Sequence, residues 1–276
     1  APLAIAEQFG TLESLYPGRI DLGLGRTSGT DPTTSLTLRR GIAGLPERFS
    51  QDLVELQSYF RAPEPGQAVR AVPGAGLRVP IWLLGSSPSS AQLAARLGLP
   101  YAFAAHLGSS HLMGALRAYR QQFQPSQYLD RSYAMVGINV VAADSDDEAR
   151  HLFTSMQIRS AQMMRGQQGP LSPPIDHIET YWSPREKAAI ERGMRYAFVG
   201  SAETIRRGLA DLLAQTGADE LIATAHIFDP RAALRSLEIL SAIRPELSSS
   251  SFARVLMEGR GIARRQPSQP QAHSRR

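Results

Sequence analysis

Short apolar runs alternate with amphipathic helical stretches along most of this chain, and that alternation constrains the fold more than any single motif. "RIDLGLG" (19–25), "VPIWLLG" (79–85), "LPYAFAAHLG" (99–108), "YAMVGINVVAA" (133–143) and "DELIATAHIF" (219–228) read as strands. Helical spacing marks 2–16, 45–60, 87–98, 111–123, 144–164, 201–217 and 229–243. Helix ends carry their usual signals. Ser87 is placed at an N-cap with Pro88 at N1 and Gly98 at the far end, Ser145-x-x-Glu148 forms a capping box, and Ser201 caps the helix that follows it. Nearly every strand is followed by a helix, as in a buried parallel sheet, and such repeats build either an open doubly wound sheet or a closed barrel. Five strands cannot close an eight-stranded barrel. The first element is a helix with no strand before it. The expectation is therefore an open sheet, or a barrel whose first three strand–helix units, roughly 80–90 residues, lie upstream of Ala1.

Composition narrows the chemistry. With 276 residues, 42% of them hydrophobic, the chain can bury a large core. It has no cysteine, so disulfides, thiolate nucleophiles and thiolate metal sites are excluded. No apolar stretch approaches a membrane span and no signal segment opens the chain, so the cytoplasm is the expected location. The net charge of +5 is localised. From Ser248 onward stand six arginines (Arg254, Arg260, Arg264, Arg265, Arg275, Arg276) and one acid, Glu258, which leaves a body of 24 basic and 24 acidic residues. The expected division is a folded body over 1–247 and a basic, disordered tail over 248–276. Such a tail can touch nucleic acid or membrane electrostatically, or serve only as a solvated appendage.

The glycine-rich stretch "IDLGLGRTSG" poses the main functional question. Gly23, Gly25 and Gly29 nearly match a dinucleotide fingerprint, but that motif needs a helix to begin at the glycines, and none starts convincingly before residue 47. On a barrel, Arg26 would stand at the C-terminal mouth of its strand, able to give a forked bond to a phosphate or to pair with Asp31. "GSSPSSAQ" (85–92) offers a second anion site at a helix N-terminus, where Ser87 and Ser90 add hydroxyls; plain N-capping explains one of these serines. His106 and His226 fall at strand C-terminal ends, near a cofactor ring or a substrate, or equally as hydrogen-bonded wall. Asn139 interrupts an apolar strand and suits either a donor to a ligand or a satisfied barrel interior. The loop 166–184, with Tyr181 and Trp182, reads as a lid or as an aromatic plug. Met163 and Met164 read as core. The six histidines show no metal-ligand spacing, and there is no nucleophile elbow or Walker loop.

Three stretches add a further constraint. "AEQFGTLESLYPGRIDLGLGR" (6–26), "GLPYAFAAHL" (98–107) and "MRYAFVGSAETIRRGL" (194–209) resemble, in order, segments of the bacterial-luciferase-like flavin monooxygenases, and the similarity runs over nearly all of 1–247. The resemblance implies an α/β fold, a (β/α)8 TIM barrel of the luciferase-like type. In this chain it would lack about the first three βα units, because the helix at 2–15 follows the third barrel strand and the strand at 20–25 is the fourth. It implies reduced FMN, or less readily the deazaflavin F420, with dioxygen and a small organic substrate, a flavin reductase as supplier and a homodimer as a possible assembly. It carries the FMN phosphate onto Arg26, Ser86, Ser87 and Ser90, with Ala105 beside the cofactor, and leaves His106 and His226 as candidate catalytic groups. A flavin-binding barrel fragment without catalysis is the alternative, and a nucleic-acid-associated protein acting through its tail is a third.

Overall fold

The computed structural model describes residues 1–26, 34, 37, 45–108, 110–167 and 169–249. Among the described residues six strands form one parallel sheet: β1 (Leu22–Gly25), β2 (Ile81–Gly85), β3 (Tyr101–Ala104), β4 (Ala134–Ala142), β5 (Ala197–Gly200) and β6 (Glu220–Thr224). The helices, in chain order, are α1 (Pro2–Leu15), α2 (Leu45–Tyr59), α3 (Pro88–Arg96), α4 (Leu112–Gln122), α5 (Asp146–Met164), α6 (Pro184–Gly193), α7 (Ala202–Thr216) and α8 (Pro230–Ser249), with a 3-10 turn at Ile178–Thr180. No described helix is long and apolar enough to cross a membrane. The tail expected from residue 248 lies outside the described residues from 250 onward.

Strands β1 to β4 pair in chain order, each crossover returning parallel. The long β4 then serves three neighbours. Residues of odd number, Tyr133 and Gly137, accept from Tyr101 and His106 on one edge, and Asn139 N–H donates to Tyr196 on that same edge. β5 therefore continues the line of β3 along the outer half of β4, from Asn139 to Ala142. The opposite edge pairs Met135–Asn139 with β6.

Register assigns every strand residue to a face. Leu22, Ile81, Leu83, Tyr101, Phe103, Ala134, Val136 and Ile138 lie on one face and join a single core with side chains from α1, α2, α3, α4, α7 and α8. Gly23, Trp82, Leu84, Ala102, Ala104, Met135, Gly137 and Ile222 lie on the other, and none of them enters that core. On this second face Leu84 and Ile222 are 39% and 52% exposed, while Trp82 and Ala102 are buried outside that core. A doubly wound sheet buries both faces under helices. Helices confined to one face are the wall of a barrel, with the uncovered face as its interior.

Several expectations need correction. The five expected strands are joined by a sixth, β5, and α6, which follows the long loop, was not foreseen. Both are short, and β5, "AFVG", is too brief to show a period. Helix α6 opens with a full capping box between Ser183 and Glu186, stronger than the expected box at Ser145, where the Ser145 side chain accepts from Glu148 N–H. Ser201 occupies its N-cap position without a capping bond of its own side chain. Asp146, at the start of α5, substitutes, its carboxylate accepting from Ser201 N–H at 2.6 Å and from the Thr204 hydroxyl at 3.1 Å. Strand β6 ends at Thr224, so "AHIF" lies beyond it, and α8 runs on to Ser249. Helix α7 ends as its sequence suggests, on Gly217 at φ 56°.

Two expected outcomes follow from this packing. Tyr119 is fully buried; its hydroxyl donates to the Leu99 carbonyl at 2.8 Å and accepts from Tyr133 N–H at 3.1 Å, joining α4 to the starts of β3 and β4. Tyr119→Phe strands these backbone groups and should cost ~1–3 kcal/mol, read as a lowered Tm with unchanged far-ultraviolet dichroism. The second concerns acid. Arg165, just after α5, holds Glu186 through Nε at 2.7 Å and Nη2 at 3.1 Å, and the Glu186 carboxylate also accepts from Ser183. The arginine first, and then the Ser183 bonds, hold the Glu186 carboxyl down to about 2 from 4.5. A depressed carboxylate contributes stability that is complete above its unfolded value and is lost as pH falls through the folded one. Stability should therefore decline between pH 4.5 and about 2, and Arg165→Ala should flatten that part of a pH–denaturation profile.

Candidate functional site

In a parallel sheet all C-terminal strand ends lie along one rim, where a barrel gathers its polar groups. Here the rim carries Arg26 after β1, Ser86 and Ser87 after β2, Ala105 and His106 after β3, Asn139 within β4, and His226 shortly after β6. Most candidates named from the sequence thus gather along one rim of the sheet, with Ser90 in the first turn of α3 and Asn139 inside β4.

The β2–α3 connection is tightly built. A Cβ at Gly85 would come within 2.5 Å of Ser90 Cβ, so only glycine lets the strand end close over the first turn of α3. The Ser90 hydroxyl turns inward, donating to the Ser87 carbonyl at 2.7 Å and meeting the Tyr101 hydroxyl at 3.1 Å. Burial pushes the Tyr101 hydroxyl up to about 12, against the lowering effect of Ser90, so it stays protonated as part of this scaffold. Ser87 makes no side-chain capping bond; its hydroxyl lies 3.0 Å from that of Ser89. The first-turn amides, which have no partner within the helix, therefore stay directed out of its N-terminus. Ser86 is exposed. On the neighbouring strand Gly25 pairs with Leu84, which sets Arg26, one residue on, beside Gly85 at strand spacing. Arg26 is exposed to solvent. Asp31, its alternative partner, lies outside the described residues.

Beyond this cradle the uncovered face forms an apolar floor. Ala104, Gly137 and Ile222 share one register row, and a Cβ at Gly137 would lie 2.7 Å from His106 Nδ1, so the imidazole lies on the glycine. Among the described residues no hydrogen-bond partner reaches that buried nitrogen. Burial lowers the His106 pKa against a raising contact with the Gly137 backbone, and the neighbouring His226 lowers it further, which favours the neutral ring. Asn139 is buried in the next row. Its Nδ2 donates to the His106 carbonyl at 3.2 Å, and its Oδ1 receives the Thr224 hydroxyl at 2.8 Å and faces His226 Nδ1 at 3.4 Å. The two histidines and the asparagine, separate candidates in the sequence, form one cluster. Ala105 is buried in the turn after β3, its N–H donating to Phe103, so it offers a ligand only backbone. Thr224, Tyr101 and Gly137 were not picked out beforehand. A glycine inside a strand is a signal of close approach, and it could have marked Gly137.

The loop reading resolves toward the plug. Trp182 is buried with Ala161 and Ile190, and Arg165 lies 5.0 Å over the Tyr181 ring while donating to the Tyr181 carbonyl. Met163 and Met164 are not core: they are 63% and 52% exposed at the end of α5, because the buried stripe of that helix runs through Ile158 and Ala161.

A family model described as luciferase-like monooxygenase matches residues 1–220. A luciferase-like monooxygenase of Escherichia coli is 48% identical over 247 residues, covering 90% of this chain and 74% of that one. The crystal structure of apo-MsnO8 superposes with a TM-score of 0.79 at 33% identity, covering 89% of this chain and 74% of its own. The oxygenating constituent of 3,6-diketocamphane monooxygenase from Pseudomonas putida, solved in complex with FMN, shares the fold at 20% identity and a TM-score of 0.61, over 87% of this chain and 74% of that one. One-sided helices on a parallel sheet, a polar rim and these matches agree: the chain belongs to the luciferase-like monooxygenase family, an α/β fold of TIM-barrel type.

Proposed function

We propose that this chain binds reduced FMN along the rim of β1, β2 and β3 and oxidises a small organic substrate with dioxygen. One observation carries the reading: an anion cradle at the N-terminus of α3, with Arg26 on the adjacent strand end, opens directly onto an uncovered apolar floor. The residues present suit a flat, anionic cofactor. Glycine and alanine keep the floor level, the helix N-terminus and Arg26 match a phosphate, and the buried, unpartnered His106 Nδ1 offers a polar contact at the far end. Bound reduced flavin supplies the two electrons that let dioxygen place one oxygen atom in the substrate and the other in water.

The chain's own part is binding, orientation and exclusion of water. Arg26 would grip the phosphate with its forked guanidinium while the Ser89 and Ser90 amides and the Ser87 hydroxyl complete the cradle. The Ser90 hydroxyl serves differently, bracing the loop through Ser87 and Tyr101. Leu84 and Ile222 would flank the ring and keep water from the reacting atoms. His106 and His226 would exchange protons with the substrate. A flavin reductase would supply the reduced cofactor.

Titration with FMN and riboflavin tests the reading. Arg26→Ala removes a charge-assisted bond of ~1.5–3 kcal/mol, so FMN affinity should fall roughly ten- to a hundredfold while riboflavin, lacking the phosphate, binds as before. Equal losses for both flavins would make Arg26 a residue of the fold. F420 should bind more weakly than FMN. Gly85→Ala, which drives a methyl into Ser90, should abolish the FMN preference and also lower the Tm. Oxygen uptake with FMN, NADH and a flavin reductase then separates an oxygenase from a flavin-binding barrel without turnover.

A further inference from the structure

The amide of Asn139 sits where three strands meet, and hydrogen-bond chemistry leaves it one orientation. The His106 carbonyl can only accept, so the amide atom 3.2 Å from it is the nitrogen. The reverse orientation would set two acceptor oxygens against each other at that distance. With Nδ2 committed to β3, Oδ1 must face β6, and an amide oxygen donates nothing. Each group that meets Oδ1 therefore brings a proton: the Thr224 hydroxyl at 2.8 Å and, in a longer contact, His226 Nδ1 at 3.4 Å. Asn139 is 3% exposed, so water does not compete for either bond.

We propose that Asn139 is a positioning residue that holds the proton of neutral His226 on Nδ1, leaving Nε2 as a proton acceptor at the open rim of the sheet. This is the less common tautomer of a free imidazole, so the arrangement selects it. Nε2 lies across the ring from Asn139, and His226 itself is exposed, so the lone pair is turned outward from the buried cluster. The ordering runs in one direction: a carbonyl just after β3 orients a β4 amide, which sets the tautomer of a histidine after β6. Its meaning for catalysis rests on the flavin-site reading above, but the tautomer does not.

The test is the ring-nitrogen NMR spectrum of the full chain, isotope-labelled in histidine, at mildly alkaline pH, with His226 assigned through His226→Gln. The expected parent signature is a protonated, pyrrole-type Nδ1 and a bare, pyridine-type Nε2 at His226. Asn139→Leu should shift the proton to Nε2, Asn139→Asp should keep it on Nδ1, and Thr224→Val, which removes the other donor, should also leave it on Nδ1. A parent His226 carrying its proton on Nε2 overturns the proposal, as does an Asn139→Leu protein that keeps it on Nδ1. If Asn139→Leu does not fold, the parent and Thr224→Val spectra still decide. Because the readout needs no flavin, loss of FMN binding in a separate titration would count against the function and leave this result standing.

Discussion

One-sided burial of the parallel sheet is the constraint on which the rest of the structure depends. Parallel strands must be joined by crossovers, and these connections share one hand, so successive helices that stay on one face bend the sheet around its other face. Leu22, Ile81, Leu83, Tyr101, Phe103, Val136 and Ile138 supply the apolar surface that holds six helices there. The opposite face is then free to carry glycine, alanine and a few exposed apolar side chains, which would be a packing defect in a doubly wound sheet. Here it is the surface proposed to receive the cofactor. The same geometry brings the strand ends together on one rim, so residues as far apart in the chain as Asn139 and His226 come within hydrogen-bonding distance.

Polar groups on that rim divide into those that build and those that remain available. Ser90 and Tyr101 spend their hydroxyls on the Ser87 carbonyl and on each other, and glycine at 85 is what lets them approach. That rigidity keeps the first-turn amides of α3 in place. At the other end of the rim Asn139 uses its amide oxygen and one amide proton on protein partners, tying β4 to β6 and to the turn after β3 at the height of the candidate site. Preorganisation of this kind lowers the cost of ordering groups when a ligand arrives. The segment after α5 is also fixed: Arg165 joins the end of α5 to the start of α6, so β5 meets β4 at Asn139 from a braced approach.

Much of this was legible in the sequence, and for identifiable reasons. Strand and helix positions followed from apolar runs and caps, because burial of one face imposes a period on the chain. The candidates Arg26, Ser87, His106 and His226 were found by a rule about strand ends that requires only the strand assignment. Resemblance in 6–26, 98–107 and 194–209 named the family, and the fold and the matched proteins agree with it. What failed was short or two-sided: β5, whose four residues are stabilised by the outer half of β4, and the Met163–Met164 pair, whose exposure depends on where α6 and Trp182 come to rest.

The sequence by itself thus determined the alternation of elements, the rim residues and the family, since periodicity, capping and motif similarity are local properties. Only the tertiary structure decided that Ser90 faces inward, that His106 lies on Gly137 with a buried nitrogen, and that Asn139 joins two histidines instead of offering its amide to a ligand. Those outcomes turn on which acceptor a donor meets across strands, and strand spacing and register, set by the packing of the whole sheet, choose that partner.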